Sequence, residues 1–258
     1  MIRYIKYILL LAVAYICAMC ESKMYDPNTD IGSPISPGLS GKGGSMARFT
    51  ISDSILYVLR DGDVIVYDIA NPNEIVEKTR ESINWGMETI FPYDSLLFFG
   101  SQSGMYVYKK EGYNLEYITE YQHITSCDPA VFDGTYAYVT LNDDMWICNR
   151  GVNELHVIDM QTITNPKLEK TYTMESPKGL GVDGDLLFVC DNNTLRVYDK
   201  TNVNSLELLA NFDEIEAYDV IPYNNYLILT GMNGISQYSY NKQTKTIQLA
   251  STILVSNQ

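Results

Sequence analysis

The side chains able to do chemistry in this chain are few, and none sits in a motif that names a reaction. There are two histidines, His123 and His156. Neither has the second histidine or the paired cysteines at the spacing of a zinc site. GxSxG, P-loop and HExxH patterns are absent, and the acidic pieces "DDM" and "DNN" lack the spacing of a calcium loop. No metal and no cofactor is therefore expected. What remains is a set of residues far apart in sequence: the carboxylates Glu88, Asp128 and Asp219, the cations Arg48 and Lys178, the aromatic Trp146, and the cysteines Cys127, Cys148 and Cys190. Converging carboxylates do acid–base chemistry or hold a ligand. An exposed ring stacks on a sugar or a base, and cysteines in an oxidising compartment pair. Each of these roles needs the fold to bring the residues together.

The elements that would do so are written five times. "ILYV" (55–58), "LLFF" (96–99), "YAYV" (136–139), "LLFV" (186–189) and "YLIL" (226–229) start 41, 40, 50 and 40 residues apart. Such a period marks a repeat architecture. Each copy reads as four strands, with Asp133-Gly134, Asp183-Gly184 and Asn224-Asn225 at hairpin turns that call for positive φ. Four strands in about 40–45 residues make one propeller blade. The expected architecture is all-β: a five-bladed β-propeller of four-stranded antiparallel blades, at about 46–85, 86–125, 126–176, 177–216 and 217–258. One blade alone cannot bury both faces, whereas five around an axis bury each face against a neighbour. The 258 residues, 46% of them hydrophobic and 21 of them Tyr, suffice for such a core.

In wording as well as spacing, "GGSMARFTI", "WGMETIFPY", "GSQSGMYVY", "HITSCDPAVFDGTYAYVTL", "GLGVDGDLLFVCD" and "YDVIPY" resemble the LVIVD-repeat lipoproteins of Gram-negative bacteria. The resemblance covers residues 43–258. It implies a β-propeller on a lipid anchor, and it implies no established activity, so no functional residues carry over from it.

The first 45 residues read as address and tether. "MIRYIKY" carries Arg3 and Lys6 without an acid, and "ILLLAVAYICAM" (8–19) is an apolar run too short to span a membrane. Together they match a secretory signal over 1–19. Cys20 follows in a loose lipobox, and is expected to be the lipidated first residue of the mature chain. Residues 21–45 are rich in Ser, Pro and Gly, and read with Cys20 as a flexible tether. The expected location is the cell envelope, anchored by lipid in the outer membrane and facing the periplasm or the surface. The signal would remove two of the 18 basic residues, leaving 16 against 32 acidic ones, near −16. That balance argues against nucleic acid as a partner.

In a propeller the strand-one starts meet at one end of the axis, beside the loops joining strands two and three. Arg48, Glu88, Asp128, Lys178 and Asp219 occupy those starts, giving a polar ring at a channel mouth. The longer third interval comes from about ten extra residues in "TLNDDMWICNRGVNE" (140–154), which brings Met145 and Trp146 to the same mouth. Cys127 would lie beside Cys148 there, and a bridge between them would stabilise by about 3 kcal/mol. Cys148–Cys190 is the rival pairing, and an odd count leaves at least one thiol free. Trp85 reads as packing between blades one and two. His156 shares its strand-three slot with Ile65, Tyr106, Arg196 and Ser236, so the slot reads as a tolerant surface. The function expected is a non-catalytic, monomeric, lipid-anchored propeller that binds a protein partner or a small ligand such as a glycan at the mouth. The alternative is a hydrolase or lyase using the mouth carboxylates with Lys178 or Arg48.

Overall fold

Alternation of apolar and polar residues with tight turns between gives strands, and the chain obeys it five times. The computed structural model describes residues 43–83, 86–123, 129–143, 152–213, 215–244 and 246–255. All of these lie within the unit Pro37–Gln258; the other unit, Met1–Ser36, falls outside the described residues. Blade 1 consists of β1 (Phe49–Ser52), β2 (Ile55–Arg60), β3 (Asp63–Asp68) and β4 (Val76–Ser82). Blade 2 has β5 (Met87–Tyr93), β6 (Leu96–Ser101), β7 (Gly104–Glu111) and β8 (Asn114–Gln122). Blade 3 has β9 (Ala130–Phe132), β10 (Tyr136–Leu141), β11 (Glu154–Asp159) and β12 (Lys167–Thr173). Blade 4 has β13 (Pro177–Asp183), β14 (Leu186–Asp191), β15 (Thr194–Asp199) and β16 (Glu207–Asp213). Blade 5 has β17 (Asp219–Tyr223), β18 (Tyr226–Gly231), β19 (Gly234–Asn241) and β20 (Thr246–Leu254). Every sheet is antiparallel in simple sequential order. The protein is an all-β, five-bladed propeller.

The turns between first and second strands need left-handed backbone, and their residues supply it: Asp53 (φ 56°), Asp94 (φ 47°), Gly134 (φ 104°), Gly184 (φ 58°), Asn224 (φ 48°) and Asn225 (φ 62°). Residues 142–153 join β10 to β11, where two residues make the same connection in each other blade. All five outer strand pairs share one irregularity. The register shifts at Val66/Tyr67, Val107/Tyr108, Val157/Ile158, Val197/Tyr198 and Gln237/Tyr238, a bulge that adds twist at the blade's edge.

Blades join through apolar faces. Tyr57, Leu59, Val64 and Val66 of blade 1 meet Ile90, Leu97 and Phe99 of blade 2. Phe98 and Val107 then meet Ala137 and Val139 of blade 3; Tyr138 and Val157 meet Leu187 and Val189 of blade 4; Phe188 and Leu195 meet Leu227 and Leu229 of blade 5. Polar latches tie the same four joints. Lys110 Nζ donates to Ser52 Oγ at 2.6 Å, Tyr93 OH to the Asp133 carbonyl at 3.3 Å, and Tyr172 OH to the Val203 carbonyl at 2.7 Å. Across the fourth joint Tyr240 OH bonds the Asp183 carboxylate.

Two expectations need correction. The ring was to dry every blade face, yet no buried apolar cluster joins blade 5 to blade 1 among the described residues. There Phe49 is 61% exposed and Ile235 43%. The slot of His156 is also not a tolerant surface. Ile65, Tyr106 and His156 are all buried in it, and Tyr106 and His156 meet the preceding blade there. His156 accepts or donates at 3.2 Å with Tyr121 OH of blade 2, and its Nε2 lies 2.8 Å from Glu154 Oε2. Burial, set against the pull of Glu154, pushes its pKa down.

Phe98 is fully buried between blades 2 and 3 and stacks on Phe132 with ring centres 4.8 Å apart. Replacing it by Ala should lower the unfolding free energy by about 3–5 kcal/mol in chemical denaturation. Phe49→Ala, at the wet joint, should cost under about 1 kcal/mol. Equal losses at the two sites would contradict the difference between the joints.

Candidate functional site

The first strands of the five blades, β1, β5, β9, β13 and β17, surround the axis. At their starting end the axis is filled by the chain itself. Residues Gly43–Arg48, ahead of β1, form a strap whose turn is closed by Ala47 N–H to the Gly44 carbonyl at 3.1 Å. Ser45 is buried; its Oγ donates to Asp219 Oδ1 at 2.8 Å and accepts from Leu180 N–H at 2.8 Å. Met46 N–H donates to Asp219 Oδ2 at 3.1 Å, and the Ala47 carbonyl accepts from Ile90 N–H at 2.8 Å. Glycine makes the seat: a Cβ on Gly44 would fall 2.0 Å from Asp219 Oδ2, and one on Gly179 would fall 2.2 Å from Asp219 Oδ1. Gly44 and Ser45, placed by sequence at the end of the tether, are thus buried within the propeller.

The residues singled out from sequence at this end have distinct settings. Asp219 is spent on the strap. Burial raises its pKa to about 6, and the bonds from Met46, Ser45 and Val220 offset that only in part. Glu88 accepts from Gln102 Nε2 at 3.0 Å within its own blade. Lys178 Nζ lies over the Tyr218 ring, 5.1 Å from its centre, and Arg48 is exposed. Cys190 is a buried free thiol, pushed well up by burial and then by Asp219. Cys20, Trp85, Cys127, Asp128, Trp146 and Cys148 lie outside the described residues.

The wide end of the axis is the opposite one. A cavity of about 1030 Å³ opens there. All five blades line it: Ser52 and Asp53, Phe91–Asp94, Val131–Asp133, Leu180–Asp185 and Val220–Pro222, with Thr135, Tyr136 and Lys200–Asn204 beside them. Arg48, Glu88, Lys178 and Asp219 are not among its lining residues. Its carboxylates, Asp53, Asp94, Asp133, Asp183 and Asp185, sit in or beside the turns between first and second strands.

Two of these acids are held. Asp133 accepts from Thr135 N–H (2.9 Å), Tyr136 N–H (2.8 Å), Tyr138 OH (3.1 Å) and Lys200 Nζ (2.6 Å). Burial opposes its ionisation, but Lys200 and the two amides prevail and hold its pKa below the usual carboxylate value. Asp183 pairs with Lys242 at 3.0 Å. Asp53, Asp94 and Asp185 make no ion pair among the described residues. No group of three metal-ligating side chains occurs among the described residues. The arrangement is a chamber with aromatic walls (Phe91, Tyr93, Phe132, Tyr136) and a rim of hydrogen-bond acceptors. Asp133 and Asp183 were visible in sequence as hairpin formers, Asp53, Asp94 and Asp185 were not singled out, and only the radial arrangement brings the five to one cavity.

No family model matches the chain, and no curated protein matches it. Solved structures do. A Lactobacillus plantarum protein aligns with a TM-score of 0.59 at 15% identity, over 78% of this chain and 69% of that one. The periplasmic gluconolactonase of Pseudomonas aeruginosa gives 0.58 at 13% identity, over 78% and 68%. A putative 6-phosphogluconolactonase from Bacteroides uniformis gives 0.60 at 12%, over 80% and 70%. At such identities the likeness is one of fold.

Asp219 makes the strap's seat sensitive to pH. Its folded pKa, about 6, lies above the unfolded value near 3.9. The folded state therefore holds the proton more tightly, and this group's contribution falls as pH rises from about 4 to about 6. The loss totals about 3 kcal/mol. The stability difference between wild type and Asp219→Asn should shift by that amount towards the variant between pH 4 and pH 7.5. A difference that stays flat across that window would refute the buried carboxylate's role.

Proposed function

We propose that this chain is a binding propeller of the cell envelope, held to a membrane by lipid at Cys20, which takes a small uncharged polyhydroxylated ligand in its axial cavity. One observation carries the reading: an axial chamber of about 1030 Å³ with aromatic walls and a carboxylate rim. Carboxylates accept bonds from sugar hydroxyls, and the C–H faces of a sugar ring lie well on aromatic side chains. The strap fills the other end of the axis, which favours this chamber over the mouth at the strand-one starts. The lipid anchor, and kinship with the LVIVD-repeat lipoproteins, rest on the signal, Cys20 and the repeat wording.

A second reading is hydrolysis of a sugar lactone, with a rim carboxylate acting as general base on water. It draws on the likeness to the Pseudomonas gluconolactonase. Charge selects among such substrates. A phosphate about 8 Å from a carboxylate loses about 0.5 kcal/mol even at the dielectric of water, and Asp53, Asp94 and Asp185 add up. A neutral lactone is therefore favoured over a phosphorylated one.

Calorimetry with neutral aldoses and aldonolactones and their 6-phosphates, run beside a lactone-hydrolysis assay, tests both readings. Neutral compounds should bind about tenfold or more tightly than their phosphates, and Asp94→Asn with Asp185→Asn should narrow that gap. Heat without turnover supports the binding protein. Turnover lost in one Asp→Asn variant supports the hydrolase, and silence across the panel removes both. Separately, Cys20→Ser should move the expressed protein from the detergent-extracted membrane fraction to the soluble one. Continued membrane retention would exclude lipid at Cys20.

A further inference from the structure

Four joints of the ring resemble one another, and the fifth does not. Ile65 of blade 1 is buried and faces blade 5, on the opposite side of β3 from Val64 and Val66, which pack on blade 2. Around it the matching positions are wet: Phe49 and Ile51 on blade 1, Tyr226 and Ile235 on blade 5 are all exposed. From the blade 1 side, the strap bonds blade 5 at Ser45 and Met46.

Glycines set the joint between blades 4 and 5. A Cβ on Gly181 would meet Pro222 Cδ at 2.6 Å and the Val220 carbonyl at 2.8 Å, and one on Gly179 would meet Asp219 Cα at 2.6 Å. The bare backbone of β13 lets β17 come closer than any other residue there would allow. Gly179 N–H donates to the Tyr218 carbonyl at 2.8 Å across the same joint. Blade 5 is thus seated closely on blade 4.

We propose that the seam between blades 5 and 1 is a gate, at which the ring parts along its length without unfolding, and that the strap Gly43–Arg48 is the catch that holds it shut. Blades 4 and 5 move as one body on their glycine-set joint. Opening separates Val220–Pro222 from Ser52 and Asp53, which line the axial cavity from the two sides of the seam. The gate stands on packing alone; its use in admitting a ligand from the side rests on the axial-cavity reading above.

Neighbouring residues on β3 provide the test. Ile65→Cys looks into the seam, and Val66→Cys looks into the dry joint with blade 2. Global unfolding exposes both thiols, whereas parting of the seam exposes only the first. Maleimide labelling of the folded chain, read thiol by thiol by peptide mass mapping, should modify Ile65→Cys at least tenfold faster than Val66→Cys. Adding Ser45→Ala should raise the Ile65→Cys rate by a further tenfold or so and leave Val66→Cys where it was. Equal rates at the two positions, or an equal rise at both on Ser45→Ala, would overturn the gate. If Ser45→Ala does not fold, the two rates with the native strap decide. No ligand is present in the measurement, so a failed gate and a failed binding reading are told apart.

Discussion

The apolar contact between neighbouring sheets is the constraint on which the rest depends. A four-stranded antiparallel sheet sends alternate side chains to its two faces, and in blade 2 both faces are apolar: Leu97 and Phe99 turn to blade 1, Phe98 to blade 3. At about 25 cal/mol per Å² of apolar area, neither face of this blade can stay in water, so blade 2 requires two neighbours. The repeat therefore tolerates change only where packing does not reach. The connection from β10 to β11 is longer than its four counterparts, while β14 is buried along its whole length.

Closure is where that economy ends. Each blade is built from its own consecutive strands, so no strand is shared between the first and last. The strap substitutes for a shared strand, with one serine hydroxyl bridging two blades and a carboxylate taken out of water to receive it. This is polar closure in place of apolar closure. It holds through a few directional bonds and loosens when one of them is lost.

Most of the fold was legible because it is periodic. "ILYV" and its four counterparts sit within strands, and the insertion after Leu141 lies where the 50-residue spacing put it. The candidate site was far less legible, because it depends on relations between copies. His156 looked free by comparison with Ile65 and Ser236, yet its ring meets Tyr121 from the preceding blade. Composition marked Gly43–Ser45 as tether, and only the axis, with Asp219 at its wall, makes those small residues a plug. Likewise Asp133 and Asp183 read one at a time as turn formers. A list of turns does not say that they point to one chamber.

The turn geometry also limits how that chamber can vary. Asp53 and Asp94 hold left-handed backbone at φ 56° and 47°, a conformation that Asn shares readily and most other residues do not. Exchange between Asp and Asn leaves the hairpin intact and alters the rim by a single charge. Related propellers built on the same hairpins would thus have a stepwise dial for electrostatic preference, adjustable blade by blade while the scaffold stays still.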